Sequence, residues 1–203
     1  FPHIAMRAEA IDLSLPLAFP DIAERRKIFF FPGSSIGNYD PEKADQFFKN
    51  IAHECHGNGG LLIGVDLVKD LETLHLAYND PLGVTAAFNL NILLNVNRII
   101  GCNFNLQDWE HVAFFNESQS RIEMHLRARS DVKVSLPGDG TKEHAIQFKA
   151  GDLIHTENSY KYTQVDFTEK LRQAGFDNIQ TWTDPKKHFL VCFANAKKML
   201  MRN

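Results

Sequence analysis

Apolar positions come in two textures along this chain. Lys27 to Phe31 and Leu61 to Leu67 are near-continuous apolar runs of strand length, which predicts strands buried on both faces. Between them, Asp40-Pro41-Glu42 opens a helix, with Asp40 as N-cap and Pro41 at the first helical position. That helix runs to about Cys55 and stops at Gly57-Asn58-Gly59-Gly60. Strand, helix and strand at this spacing predict a βαβ unit, hence a parallel sheet with right-handed crossovers. Upstream, residues 4–13 read as a short strand ending in Asp12, followed by a proline-containing loop from Ser14 to Glu24. Residues 71–78 and 84–101 read as helices, with Leu90, Leu93, Leu94 and Val96 on a core-facing side.

The texture changes over residues 120–136 and 143–155. Arg121-Ile122-Glu123-Met124-His125-Leu126-Arg127 alternates charge and bulk, as a half-exposed strand does. Pro137-Gly138-Asp139-Gly140 reads as a turn between two such strands. Asp166-Phe167-Thr168 then opens a last helix that ends at Gly175, a C′ glycine. Ile179 to Asp184 and His188 to Ala194 close the chain as an antiparallel pair.

Composition narrows the function classes. The 203 residues are 44% hydrophobic, enough for one full core and a small subdomain. A net charge of −3 leaves no basic footprint, so no nucleic-acid partner is expected. No run of 18 apolar residues occurs, so no membrane span is expected. Cys55, Cys102 and Cys192 are odd in number and far apart, which fits a reduced, cytoplasmic setting.

Two polar clusters carry the candidate chemistry. Phe31-Pro32-Gly33-Ser34-Ser35-Ile36-Gly37-Asn38 follows an apolar strand, and open α/β sheets bind ligands at such carboxyl ends. Asn38 can grip a carboxylate or amine, or it can simply fill a left-handed turn. In the second cluster, Ile154 to Tyr162, Glu157 and Ser159 are two apart and would face one side of an extended segment. They can orient a polar ring, or they can decorate a solvated edge. Tyr78, near a helix end, is by default a packing residue. Asp12 can accept from an adenine or ribose, or cap a turn. His53-Glu54-Cys55-His56 resembles a metal cluster but sits in a last helical turn, where histidine is common. Gly57-Asn58-Gly59-Gly60 precedes a strand, whereas a phosphate loop must follow one. Lys69 and Asp70 read as a surface ion pair.

Five segments taken in order resemble one family. They are Phe31 to Asn38, Gly64 to Asp70, Tyr78 to Asn89, Arg121 to Met124, and Thr156 to Lys161. The family is that of the L-histidine Nα-methyltransferases of ergothioneine biosynthesis. The resemblance implies an α/β fold of the class I S-adenosylmethionine-dependent methyltransferase type, a Rossmann-like sheet with a β-rich substrate-binding insertion. It divides the chain into part of the core (1–78), the insertion (79–162) and the final core elements (163–203). It implies S-adenosylmethionine as cofactor and L-histidine as small-molecule substrate, methylated on its α-amine to hercynine. Carried over by motif, Asn38 and Tyr78 would hold the substrate carboxylate. Glu157 and Ser159 would read the imidazole, with Phe88 and Met124 shaping the pocket. Asp12 and Leu13 would sit at the adenine, and Gly33 and Ser34 near the cofactor.

The family's glycine-rich cofactor loop would lie upstream of Asp12, and none of the residues before Asp12 is glycine. The expectation is therefore a sheet that lacks its N-terminal strands, completed by a missing N-terminal part or a partner chain. Two other readings stand beside this one. The same family resembles N-methyltransferases of tryptophan-derived acceptors, although Glu157 suits an imidazole better than an indole, which offers a single donor. A non-catalytic small-molecule-binding paralogue is the third.

Overall fold

The computed structural model describes residues 3–12, 15–22, 25–137 and 144–198. The chain forms two compact units, one of residues 1–65 with 163–203 and one of residues 66–162. No helix among the described residues is long and apolar enough to cross a membrane.

The first unit is built on β1 (Lys27–Phe31), α1 (Pro41–Glu54), β2 (Gly59–Asp66), α4 (Gln164–Gln173), β8 (Phe176–Thr183) and β9 (Phe189–Ala196). Its sheet has the order β1-β2-β9-β8. β1 and β2 are parallel, Lys27 opposite Gly59, and β8 pairs antiparallel with β9. The expected βαβ unit and the closing antiparallel pair are both present. Pro41 starts α1, and Asp40 occupies its N-cap position without a side-chain cap bond. Phe47, Phe48 and Ile51 lie on the buried side of α1. Phe48 meets Phe167 of α4 edge-on at 5.7 Å. A ring of that size contributes roughly 1.5–3 kcal/mol when fully buried. Gly175, at φ 105°, follows α4 as the C′ glycine that was expected.

Two expectations for this unit need correction. Residues 3–12 form no strand; Ile4, Met6 and Ile11 are exposed and no ladder holds the segment. Alternation alone does not make a strand, because a single strand with no partner leaves its backbone groups unpaired. β1 is a strand but not a buried one: Ile28 is 46% and Phe30 68% exposed. It lies at the edge of the four-stranded sheet, and one of its faces is uncovered.

The glycines that open β2 have a packing reason rather than a phosphate-binding one. A Cβ on Gly59 would collide with the Lys27 carbonyl, and one on Gly60 would lie 2.5 Å from the Ala194 carbonyl. They let β1 and β9 close on β2. The His53–His56 segment does end a helix, but Glu54 is buried there. Its Oε1 accepts from the Phe19 amide at 3.2 Å and lies 3.4 Å from Lys27 Nζ. Cys55 and Cys192 are buried, and burial pushes their thiols up to about 11 and about 12.

The second unit holds α2 (Leu71–Tyr78), α3 (Val84–Ile100), β3 (Trp109–Asn116), β4 (Arg121–Ala128), β5 (Val132–Leu136), β6 (His144–Phe148) and β7 (Leu153–Tyr160). β3, β4 and β7 form an antiparallel sheet, and β5 and β6 a separate antiparallel pair. Residues 120–136 and 143–155 thus carry four strands where two were expected, and β3 had not been anticipated. Of the expected turn, residues 138–140 lie outside the described residues. β4 is largely buried rather than half exposed. Asp70 caps α2 by accepting from the Thr73 amide at 2.7 Å, and Lys69 binds Asp66 at 2.5 Å. Trp109, Leu93, Leu126 and Ala128 form one core cluster, and Leu74, Ala113, Ile122 and Met124 another.

Candidate functional site

The second unit brings several expected residues onto one sheet face. β4 and β7 pair with Ile122 opposite Ser159 and Met124 opposite Glu157. Residues directly opposite share a face, so these four side chains point the same way. The register shifts after Met124, where His125 pairs with His155 and Thr156 is left as the extra residue of a bulge. Thr156 Oγ1 donates to the Met124 carbonyl at 2.9 Å and fixes the bulge. The bulge therefore puts His155 on the face opposite Glu157.

Tyr78 reaches this face from the end of α2. A histidine and an asparagine anchor it. His111 on β3 lies 2.8 Å by Nε2 from the Tyr78 carbonyl, and its Nδ1 lies 2.9 Å from Asn89 Nδ2. Because the amide donates to Nδ1, Nε2 carries the proton and donates to Tyr78. Asn79 Nδ2 also donates to the Ala113 carbonyl at 3.0 Å. Held this way, the Tyr78 hydroxyl lies 2.8 Å from Ser159 Oγ, and Tyr78 packs against the cluster that contains Met124.

Lys161 completes the cluster, a residue whose role the sequence did not reveal. Its ammonium lies 2.7 Å from the Tyr78 hydroxyl, 2.7 Å from Ser159 Oγ and 3.0 Å from Asp66 Oδ2. It also stands 4.8 Å from the Tyr78 ring centroid. Asp66 binds Lys69 through its other oxygen at 2.5 Å. The Lys161 backbone is gripped by Ser120, which accepts from its amide through its carbonyl and donates to its carbonyl through Oγ, each at 2.8 Å.

Glu157 is half buried, and among the described residues its carboxylate makes no hydrogen bond. Burial raises its pKa, and the nearby Lys161 charge opposes that rise. A carboxylate acceptor and a pair of hydroxyls therefore share one face with buried Met124. Phe88 is 62% exposed on α3 and is not drawn into this cluster.

The opposite face carries a different group. Arg121 donates through Nε and Nη2 to Glu123 Oε1 and through Nη1 to the Tyr160 hydroxyl. Burial opposes ionisation of Glu123, but the bonds from Arg121 and Asn116 outweigh it and hold the carboxyl below its usual range. Phe114, His125 and His155 stack, with centroids 5.3 and 4.6 Å apart. Glu123, His125 and His155 are the one set of possible metal ligands among the described residues. The two imidazole planes differ by only 21°, so their in-plane lone pairs run side by side rather than converging, and Arg121 already serves the carboxylate. The segment His53 to His56 forms no such set.

On the first unit, Gly33 and Ser34 follow the carboxyl end of β1 with φ of 83° and 63°. A Cβ on Gly33 would meet nothing within 4 Å, so the strand end is open to an approaching group. Asn38 is exposed in a short 3-10 turn, Ser35–Asn38, and is not left-handed; Gly33 and Ser34 take that geometry instead. Asp12 lies in the exposed irregular segment, its carbonyl accepting from the Leu15 amide at 3.1 Å, and Leu13 is outside the described residues. No strand places Asp12 beside the end of β1.

A parallel βαβ unit with an open strand end, in one chain with an antiparallel unit that presents paired polar groups, defines an α/β protein. A family model described as histidine-specific methyltransferase, SAM-dependent, matches residues 1–196, and the chain belongs to that family. It is 40% identical over 164 residues to the histidine N-alpha-methyltransferase of Mycolicibacterium smegmatis, covering 81% of this chain and 50% of that protein. It is 32% identical over 151 residues to ergothioneine biosynthesis protein 1 of Schizosaccharomyces pombe, covering 74% and 19%. The 4-dimethylallyltryptophan N-methyltransferase of Aspergillus fumigatus is 24% identical over 177 residues, covering 82% and 50%. The chain thus spans half the length, or less, of these relatives.

Proposed function

We propose that this chain serves the S-adenosylmethionine-dependent methylation of the α-amine of L-histidine, giving hercynine in ergothioneine biosynthesis. The observation that carries the reading is the shared face of β4 and β7. There the half-buried Glu157 carboxylate, without a hydrogen bond among the described residues, accompanies hydroxyls held by a buried ammonium. Residues two apart on a strand are separated by about 6.7 Å. Hydrogen bonds of about 2.8 Å to the two nitrogens of a five-membered ring need partners about 7 Å apart. The Cα atoms of Glu157 and Ser159, two apart on β7, stand about that far from each other.

Glu157 accepts from the ring N–H, Ser159 addresses the second nitrogen, and Met124 supports the ring's apolar side. Tyr78 serves the carboxylate. Gly33 and Ser34 leave room for the cofactor at the end of β1. S-adenosylmethionine supplies the methyl group. The chain's own residues bind and orient the amino acid, and positioning of this kind is worth several kcal/mol in a displacement reaction. The likeness to a tryptophan-derived N-methyltransferase supports a second acceptor class, but an indole has no second ring nitrogen for Ser159 to address, which favours histidine.

Calorimetric titration of S-adenosylhomocysteine into this chain, with and without histidine, tests the proposal. Histidine binding that tightens when S-adenosylhomocysteine is present supports it. Absence of heat for both ligands overturns it for this chain.

A further inference from the structure

The ladder around the bulge of β7 does not by itself say which residue is the extra one. On one side of the bulge Glu123 pairs with Asn158, and on the other His125 pairs with His155. Between those pairs β4 has a single residue, Met124, and β7 has Thr156 and Glu157. Either of these two can stand opposite Met124 while every flanking pair stays as it is. In the structure Glu157 is paired and Thr156 is extra. Exchanging the roles would put the Thr156 side chain on the face of Met124 in place of Glu157, because the residue directly opposite is the one that shares the face. A short neutral hydroxyl would then replace a carboxylate.

Side-chain bonds hold the arrangement that occurs. Thr156 Oγ1 donates to the Met124 carbonyl at 2.9 Å. Threonine is stiff about χ1, so this bond restrains the backbone of the extra residue along with its hydroxyl. On the other face, His155 Nε2 lies 3.2 Å from the Glu157 carbonyl and 2.8 Å from Asn158 Oδ1. Both oxygens accept, so the ring N–H donates to them. Thr156 thus ties the extra residue to β4, and His155 holds the backbone of the paired one. Neither contact belongs to the flanking ladder.

We infer that Thr156 is a positioning residue, supported by His155: its clamp on the Met124 carbonyl selects Glu157, over Thr156 itself, as the side chain that this face presents to a ligand. The inference rests on the histidine reading above, in which Glu157 is the acceptor, and it adds the residues that put the acceptor there. A single neutral hydrogen bond shifts an equilibrium by several-fold, so its loss frees the bulge without unfolding the sheet.

The test uses the whole chain, with nuclear magnetic resonance in the absence of ligand and calorimetry with L-histidine. Thr156→Val keeps the branched shape and removes the O–H; Thr156→Ser keeps the O–H. Wild type and Thr156→Ser should show cross-strand contacts between the backbone protons of Met124 and Glu157. In Thr156→Val these should weaken and contacts from Met124 to position 156 should appear, while those between Glu123 and Asn158 and between His125 and His155 persist. Histidine affinity should fall about three- to tenfold in Thr156→Val, the scale of one neutral hydrogen bond, and stay within about twofold of wild type in Thr156→Ser. His155→Phe keeps an aromatic ring beside His125 and removes the donor. It should move both readouts in the same direction, and it decides the matter if Thr156→Val does not fold. Unchanged contacts between Met124 and Glu157 in the folded variant would overturn the inference and leave the functional reading standing. So would a loss of affinity shared equally by Thr156→Val and Thr156→Ser. Wild type that binds no histidine would overturn the functional reading, and the contacts of Met124 would then decide alone whether the clamp selects Glu157.

Discussion

Asp66 Oδ2 lies 3.0 Å from Nζ of Lys161, whose side chain is only 1% exposed. That pair ties the start of the second unit to the strand end that carries Ser159. The Tyr162 amide reinforces it by donating to the Asp66 carbonyl at 3.3 Å, and the Val68 amide donates to the Tyr162 carbonyl at 3.0 Å. Removing one member of a buried ion pair strands the other charge and costs about 3–5 kcal/mol. Asp66 is 22% exposed, and Lys161 keeps two hydroxyl acceptors, so Asp66→Asn should cost about 3 kcal/mol, the low end of that range. Urea unfolding measures it. A loss well under 1 kcal/mol would mean that the pair does not organise the strand end.

His125 makes the second unit sensitive to mild acid. Burial lowers its pKa, and the neighbouring His155 and Arg121 charges lower it further against the opposing pull of Glu123. The unfolded chain therefore binds a proton that the folded chain resists. Stability from this group is complete above the unfolded value near 6.5 and falls as pH drops below it toward the depressed folded value. His125→Phe should keep the stack with Phe114 and His155 and remove the titration. The wild-type melting temperature should fall between pH 7.5 and 5.5 more steeply than that of the variant. Parallel pH profiles would assign the acid sensitivity elsewhere.

The elements carried by strong periodicity were legible in advance: α1 between two apolar runs, α2, α3, α4 and the closing β8–β9 pair. β3 was not, for a physical reason. Its core-facing residues are Trp109, His111, Ala113 and Phe115, and its other face carries Phe114. A histidine inward and a phenylalanine outward erase the period-2 signal. His111 is tolerated inward because the Tyr78 carbonyl and Asn89 use both its nitrogens. The same kind of compensation hides in β4, where Glu123 and His125 are buried by partners on other strands. The pairing of Glu157 with Ser159 was readable from spacing alone. The clamp of Lys161 on Tyr78 was not, since the two residues are 83 positions apart and no local pattern links them. β1 misled because apolar content reports a preference for burial, while its place at the sheet edge leaves Ile28 and Phe30 uncovered.

Close strand approach in the first unit sets a steric limit that can be measured. A Cβ on Gly60 would stand 2.5 Å from the Ala194 carbonyl and 3.3 Å from the Phe193 ring. The first obstacle is backbone, which cannot rotate away. Gly60→Ala should therefore separate β2 from β9 and cost about 3 kcal/mol, the upper part of the usual range for overpacking. Denaturant unfolding followed by tryptophan and far-ultraviolet signals reads the loss. A neutral substitution would show that β9 can shift outward without penalty.

Glu157 should show function and stability pulling in opposite directions. Burial raises its pKa, so the folded chain holds its proton more tightly than the unfolded chain does. Where the folded state binds more protons, stability falls as pH rises. Ionised Glu157 thus opposes folding above its raised pKa, and Glu157→Gln should raise the melting temperature at neutral pH. The same substitution replaces a charged acceptor with a neutral amide, and histidine binding should weaken by about 1.5–3 kcal/mol, the worth of a charged hydrogen bond. The gain in stability should vanish at acid pH, where the wild-type carboxyl is itself neutral, while the loss in affinity at neutral pH remains. Thermal melts across pH and calorimetry with histidine on the same two proteins separate the effects. A variant that is both less stable and equally good at binding histidine would remove Glu157 from the site.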